Sequence, residues 1–434
     1  MRLLNKNQVV VALLVTTASI MANAVEYRLE SAVKVYVSHD NNINLIPDFD
    51  QSLYGETVAP SIDLQANTEN WKNSLETELL FSNFNRPGYD SDDQKVDYNS
   101  SYQGESYRAG FVVQAVHDTT RTSETADSGR ASNERRKYYS LSPSYSYYFS
   151  DKQWLTTTAT LSKAEYKDDR YTGYDNAQIF AEWNYVYSEQ LRLFVRANAN
   201  NYESDGRTQL FTFVRVIDTP FGQFPQQQLI EQNFVTKTEG SGFQLGGNYQ
   251  ITEKLAAFGL FGFSKTDSEY EVTDDSDACA LTANDPTWVL RGACTLAGQN
   301  SSTDSIDASL SWTGERQNWS LNYSIQTQPS SDGYLLESER VSADWSIRLT
   351  AKDKLRIAAV WGDNQALDDE NNLGVRSERT YNNVSALYNR RINESWLLGG
   401  SVQYRYQDRE INRTSAEGVT GRITVTYWPQ VKQW

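Results

Sequence analysis

The stretch Tyr139-Ser-Leu-Ser-Pro-Ser-Tyr-Ser-Tyr-Tyr-Phe-Ser-Asp-Lys-Gln-Trp-Leu-Thr-Thr-Thr-Ala-Thr-Leu161 decides the fold. Bulky and small polar residues alternate up to Phe149, a polar turn follows at Ser150–Gln153, and alternation resumes from Leu155. Alternation with period 2 on both sides of a tight turn is a β-hairpin in which each strand has one apolar and one polar face.

The same unit recurs along the chain. Short polar turns fall at Thr68–Trp71, Gln103–Ser106, Ser150–Gln153, Ser188–Gln190, Ile251–Lys254, Gly314–Asn318, Thr350–Lys354 and Arg390–Ser395. Between them lie longer loops rich in Asp, Asn, Ser and Gly. Short turns alternating with long loops are the pattern of a membrane-spanning barrel, with the turns periplasmic and the loops extracellular. Counting alternating segments predicts an all-β, transmembrane, antiparallel up-and-down β-barrel of about 18 strands. A sandwich or propeller shares short strands but predicts no systematic difference between turns and loops.

Composition agrees. Hydrophobic residues make up 39% of the chain, low for a packed soluble core, while aromatics reach 12% with 27 tyrosines. A barrel accounts for both, because only alternate residues face lipid and Tyr and Trp collect at the interfaces. Trp71, Tyr107, Trp154, Trp319 and Trp396 follow short turns and read as the inner aromatic girdle. Two features fit less well: Pro143 predicts a bulge or a shifted strand, and Trp428-Pro429 interrupts the alternation before the aromatic last residue, Trp434.

The first residues read as a secretory signal. Arg2 and Lys6 precede the apolar stretch Val9–Met21, and Ala22-Asn23-Ala24 is a small-residue cleavage site. The expected division is a signal peptide over 1–24 and a barrel over 25–434, placed in the outer membrane of a Gram-negative bacterium. The formal net charge of −16 argues against nucleic acid as a partner. Lipid and lipopolysaccharide are the expected surroundings, and the acidic loops are read mainly as solvated faces. Cys279 and Cys294 share one long loop and are expected to pair, contributing roughly 3 kcal/mol through loop closure. No His neighbours them, no metal or nucleotide motif is present, and no cofactor is expected.

The faces opposite the apolar sets are rich in Ser, Thr, Asn and Gln, which predicts a hydrated lumen. Charged candidates for its lining are Arg108, Glu182, Arg192, Arg196, Asp307, Asp344, Arg348, Arg356, Arg405 and Arg422. Arginine outnumbers acid in this set, so the sequence suggests either a bias toward anions or arginines that brace the wall by pairing. His39 and His117 sit at strand–loop junctions without the partners a hydrolase needs, and no enzyme is expected. Two long segments, 201–237 and 267–303, stand out. The first contains a strand-like run at 211–217 and reads as an extended hairpin, an infolded loop or an extra pair of wall strands.

One local run bears on family. Val35-Tyr-Val-Ser-His-Asp-Asn-Asn-Ile-Asn44 carries a first strand into an Asp-Asn-Asn-Ile-Asn loop. With the signal and strand count, it resembles the β-barrel porin type 2 group, which includes proteins associated with exopolysaccharide secretion. The resemblance implies passive export of exopolysaccharide in company with periplasmic secretion components. Composition and spacing leave two alternatives: a diffusion porin taking up small anionic or sugar solutes, and a structural or adhesive barrel with a closed lumen.

Overall fold

The structure is a computed structural model that describes residues 25–45, 47, 52–119, 134–167, 171–219, 222–272, 289–290, 299–329, 335–366, 379–409, 414–429 and 432–433. The signal segment, Cys279, Cys294 and Trp434 lie outside the described residues. No helix is present among those described.

The strands are β1 (Glu26–Asp40), β2 (Leu53–Asn67), β3 (Trp71–Phe84), β4 (Ser91–Gln103), β5 (Tyr107–Thr119), β6 (Arg135–Ser150) and β7 (Gln153–Tyr166). They continue as β8 (Tyr174–Val186), β9 (Leu191–Ser204), β10 (Arg207–Thr219), β11 (Gly222–Gln250), β12 (Leu255–Val272), β13 (Val289–Leu290) and β14 (Gln299–Thr313). The remainder are β15 (Gln317–Pro329), β16 (Leu335–Arg348), β17 (Asp353–Ala366), β18 (Arg379–Arg391), β19 (Trp396–Arg409), β20 (Thr414–Tyr427) and β21 (Lys432–Gln433). Neighbours pair antiparallel in chain order, and β1 pairs with both β2 and β20. That last ladder, Val33–Asp40 against Thr420–Tyr427, closes the sheet. β10 and β13 stand outside the ring, because β11 pairs directly with β9 and β12, and β12 with β14; the two-residue β21 only returns onto β1 and adds no wall strand. The result is a closed 18-stranded antiparallel β-barrel.

All eight short turns lie where the sequence places them, and their chemistry repeats. The Ser188 hydroxyl accepts from Leu191 N at 3.1 Å, Thr252 from Leu255 N at 3.1 Å, Thr350 from Asp353 N at 3.1 Å and Thr68 from Trp71 N at 2.9 Å. The Asn393 side chain does the same for Trp396 N at 3.0 Å. A short polar side chain that satisfies a backbone donor two or three residues on stabilises a tight turn.

Alternation sets the faces. Val33, Val35 and Val37, Ile179 and Trp183, Phe261 and Phe263, and Val402 and Tyr404 are exposed and form an outward apolar belt. Their sequence neighbours point into the lumen. Part of the inner girdle follows: Trp71 packs on Tyr102 at 5.0 Å, and Trp396 on Tyr427 at 4.7 Å. Trp154 departs from expectation. It belongs to the inward set of β7, lies 6.0 Å from Tyr148, and has the Arg192 guanidinium 5.9 Å from its ring centroid. It follows a turn, but strand parity rather than nearness to the turn decides which way a side chain points.

Pro143 produces no register shift. Leu141 still pairs with Leu161 and Ser144 with Thr158, while Ser142 and Pro143 drop out of the β6–β7 ladder and Pro143 keeps its place opposite Phe111. The missing N–H is absorbed by a local gap, and the irregularity in this hairpin sits beside the turn, at Tyr148/Ser150. Beyond Trp428-Pro429 the chain rejoins β1, with Lys432 opposite Leu29, one residue out of register with β20.

The segment 201–237 is an extended hairpin. Glu203 faces Lys237 and Arg207 faces Phe234, so one extra residue enters on the β9–β10 side. Gly206, at φ 105°, takes up this bulge. β10 thus continues the β9–β11 ladder beyond the wall. Deleting residues 207–234 is expected to leave an assembled barrel, seen as retained heat-modifiable migration on gels. Loss of the folded band would contradict this placement.

Candidate functional site

The residues that follow β1 turn into the barrel. Asp40 Oδ1 accepts from Asn42 N at 2.9 Å, which bends the chain. Leu45 N then donates to Asn42 O at 3.2 Å, with Leu45 itself in the left-handed region at φ 47°. Asp40, Asn42, Ile43 and Leu45 are all buried.

Strands from the far end of the chain hold this turn. Arg405 Nη2 donates to Asp40 Oδ2 at 2.5 Å and to Asn42 O at 3.3 Å, while its Nη1 donates to Ile43 O at 3.3 Å. The Thr420 hydroxyl donates to the same carboxylate oxygen at 2.5 Å. Gln407 Nε2 donates to Leu45 O at 2.8 Å, and Gln407 Oε1 accepts from Arg379 Nη1 at 3.1 Å. Asn42 Nδ2 reaches Glu417 O at 2.9 Å, and Asn41 exchanges hydrogen bonds with the Val419 backbone. Gly418 is needed for this approach: a Cβ there would lie 2.9 Å from Asn42 O and 3.2 Å from Arg405 Nη2.

The Asp40–Arg405 pair is nearly dry, with side-chain exposures of 7% and 12%. A buried pair is costly to form from water but more costly to break on one side. It therefore acts as a latch that fixes where the turn sits. Around it lies a lumenal cavity of about 380 Å³, bounded on one side by Leu80, Ser82 and Asp93 of β3 and β4 and on the other by Arg340, Arg379 and Arg422.

The ten charged lumen candidates fall on the inward faces of their strands, and they divide by what they touch. Arg196 donates to Glu182 at 2.7 and 3.0 Å, and Arg356 to Asp344 at 2.5 Å. Arg405 with Asp40 makes a third such pair. Arg108 donates to Gln103 at 2.6 Å near a periplasmic turn. Arg192 lies over Trp154, and Arg422 lies 4.3 Å from the Tyr36 ring centroid. Asp307 faces Arg196 across a second cavity lined by Asn198, Gln244 and Ser324. Arg348 has no ion pair among the described residues.

The sequence reading did not single out Asp40, Asn42, Arg379, Gln407 or Gly418. For Asp40 and Asn42 the signal was the Asp-Asn-Asn-Ile-Asn run itself, which carries one charge and is followed by the apolar pair Leu45-Ile46. Neither histidine joins the site. His39 packs on Tyr54 at 4.5 Å, and His117 Nδ1 lies 3.4 Å from Arg135 Nη2.

No protein-family model matches the chain, and no curated protein matches it in sequence. In backbone it is similar to OpdQ of Pseudomonas aeruginosa, with a TM-score of 0.45 and 8% identity over 93% of this chain and 98% of that one. It is similar to the outer membrane channel DcaP of Acinetobacter baumannii, with a TM-score of 0.41 and 10% identity over 94% and 99%. The open form of the ferric-catecholate import receptor Fiu of E. coli K12 gives 0.45 and 9% over 92% and 81%. These likenesses concern barrel architecture alone.

Arg405→Gln removes the charge that holds Asp40. The turn is expected to lose about 3 kcal/mol of local stability, a roughly hundredfold rise in hydrogen exchange at the Asn42 and Leu45 amides. Adding Asp40→Asn should recover part of the loss, since no carboxylate is then left buried alone. Unchanged exchange in the single variant would contradict the latch.

Proposed function

We propose that this chain is a passive channel of the outer membrane, conducting small polar solutes inward through a hydrated lumen. The observation that carries this reading is the latched Asp40–Leu45 turn. It occupies the lumen at the extracellular end of β1 and borders a cavity sized for one small molecule. Inward Ser, Thr and Asn side chains, such as Ser142 hydrogen-bonded to Thr160 and Asn322 to Ser342, offer exchangeable partners to water and polar solutes.

Export of an exopolysaccharide asks for more. A polymer in transit occupies the lumen continuously, so the turn would have to stand away from Arg405, Gln407 and Thr420 for the whole passage. The buried pair and its supporting hydrogen bonds favour the closed-in position. Uptake of small solutes needs no such displacement. A barrel acting only through its external loops would have no use for a hydrogen-bonding lumen of this kind.

Liposomes carrying the purified protein test the reading. Monosaccharide-sized solutes are expected to swell them and oligosaccharides of several units to fail. A deletion strain is expected to keep its surface and secreted polysaccharide. Loss of that polysaccharide, restored by the intact gene, would overturn uptake in favour of export.

A further inference from the structure

The lumen charges are not mixed around the ring. Strand parity places Asp63 on the inner face of β2, Glu76 and Glu78 on β3, and Asp97 on β4. Only Lys72 and Lys95 share the inner faces of these three strands as cations, and Lys95 is taken up by Asp97 at 2.7 Å. Lys34 of β1 reaches Glu78 at 3.0 Å, while Glu76 and Asp63 have no ion pair among the described residues.

Strands β16–β20 carry the opposite sign. Arg340 and Arg348 of β16, Arg356 of β17 and Arg422 of β20 point inward, and Arg379 and Arg405 lie above them. The opposing charges here are Asp344, which holds Arg356, and Asp40 from β1, which holds Arg405. Arg340, Arg348 and Arg422 have no ion pair among the described residues. The inner face from β6 to β15 is mostly Ser, Thr, Asn and Gln, and its charges are few and nearly balanced.

The two charged walls belong to one lumen. The cavity beside the Asp40 turn lies above the acidic set: it touches Leu80, two residues along β3 from Glu78, and Asp93 of β4, which Arg135 holds at 3.0 Å; from the other wall it touches Arg340 and Arg422. The two walls lie on either side of β1 around the ring; charges of opposite sign on two arcs of one lumen set up a field between them, and low-dielectric walls focus it. An anion crossing this space is attracted by one wall and repelled by the other, as is a cation. A molecule that carries both charges can satisfy both walls at once.

We propose that the lumen selects small zwitterions, turned with the anionic group toward β16–β20 and the cationic group toward β2–β4. This rests on the channel reading and adds the solute class to it. The arginines do not form an anion-selective ring, because they occupy one arc of the lumen and the acidic wall occupies another.

Three solutes of nearly equal size separate the terms: glycine as the zwitterion, glycolamide as the neutral, glycolate as the anion. Their entry into liposomes loaded with the full-length protein is measured alongside ionic reversal potentials. Glycine is expected to enter about tenfold faster than glycolamide, within the range that electrostatic focusing supplies. The double variant Glu76→Gln/Glu78→Gln should lose that preference and move the reversal potential toward anions. Arg348→Gln/Arg422→Gln should lose it and move the potential toward cations. Opposite shifts from two doubles that both retain heat-modifiable migration cannot come from misfolding. Flux without a preference for glycine overturns this inference and leaves the channel standing. Shifts of the same sign in both doubles overturn it as well. No flux of any of the three solutes overturns the channel reading, and this inference with it.

Discussion

Closure of the sheet is the constraint on which everything else depends. A strand in hydrocarbon has no water to satisfy its N–H and C=O groups, so an open edge is untenable. Here the edge is removed by one ladder, Val33–Asp40 against Thr420–Tyr427, helped by the short return of β21 onto β1. The first and last strands must therefore meet in register, although nearly four hundred residues separate them. Once they meet, parity along each strand assigns every side chain to lipid or to water.

The Asp40 turn is built on that seam. Asp40 is the last residue of the first strand, and every strand that holds the turn comes from the final part of the chain. Arg405 and Gln407 belong to β19, Thr420 to β20, and Arg379 to β18. The latch thus ties lumen geometry to seam closure. Its hydrogen bonds cross the line where the two ends of the chain meet, and the turn takes its position only when the seam is made. A charge pair of this burial contributes more to specifying one arrangement than to net stability, and that suits a feature whose job is to sit in one place.

Much of this was legible in the sequence, for identifiable reasons. The eight turns could be read because each is a local event, and six of them are closed by a Ser, Thr or Asn side chain on a backbone N–H two or three residues away. The outward belt could be read because period 2 is local too. What escaped depended on distance. Asp40 and Arg405 are 365 residues apart, and nothing near Asp40 tells that its loop bends inward. Trp154 was assigned to the girdle by its nearness to a turn, while its strand's parity sent it into the lumen. The carboxylates on β2–β4 and the arginines on β16–β20 stand far apart in the sequence, and neither set says by itself that closure brings them to either side of β1. The extra residue at Ser204–Gly206, which turns β10 into an extension of the wall ladder rather than a new wall strand, became visible only through the pairing of both sides.

The central claim is that a closed barrel holds a hydrated lumen, narrowed but not sealed by the turn at Asp40. Single-channel recording of the purified protein in a planar lipid bilayer tests it most directly. The account predicts discrete, ohmic current steps in simple salt, smaller than an unobstructed 18-stranded wall would give. A barrel that inserts and stays silent at every voltage, while remaining folded, would contradict it.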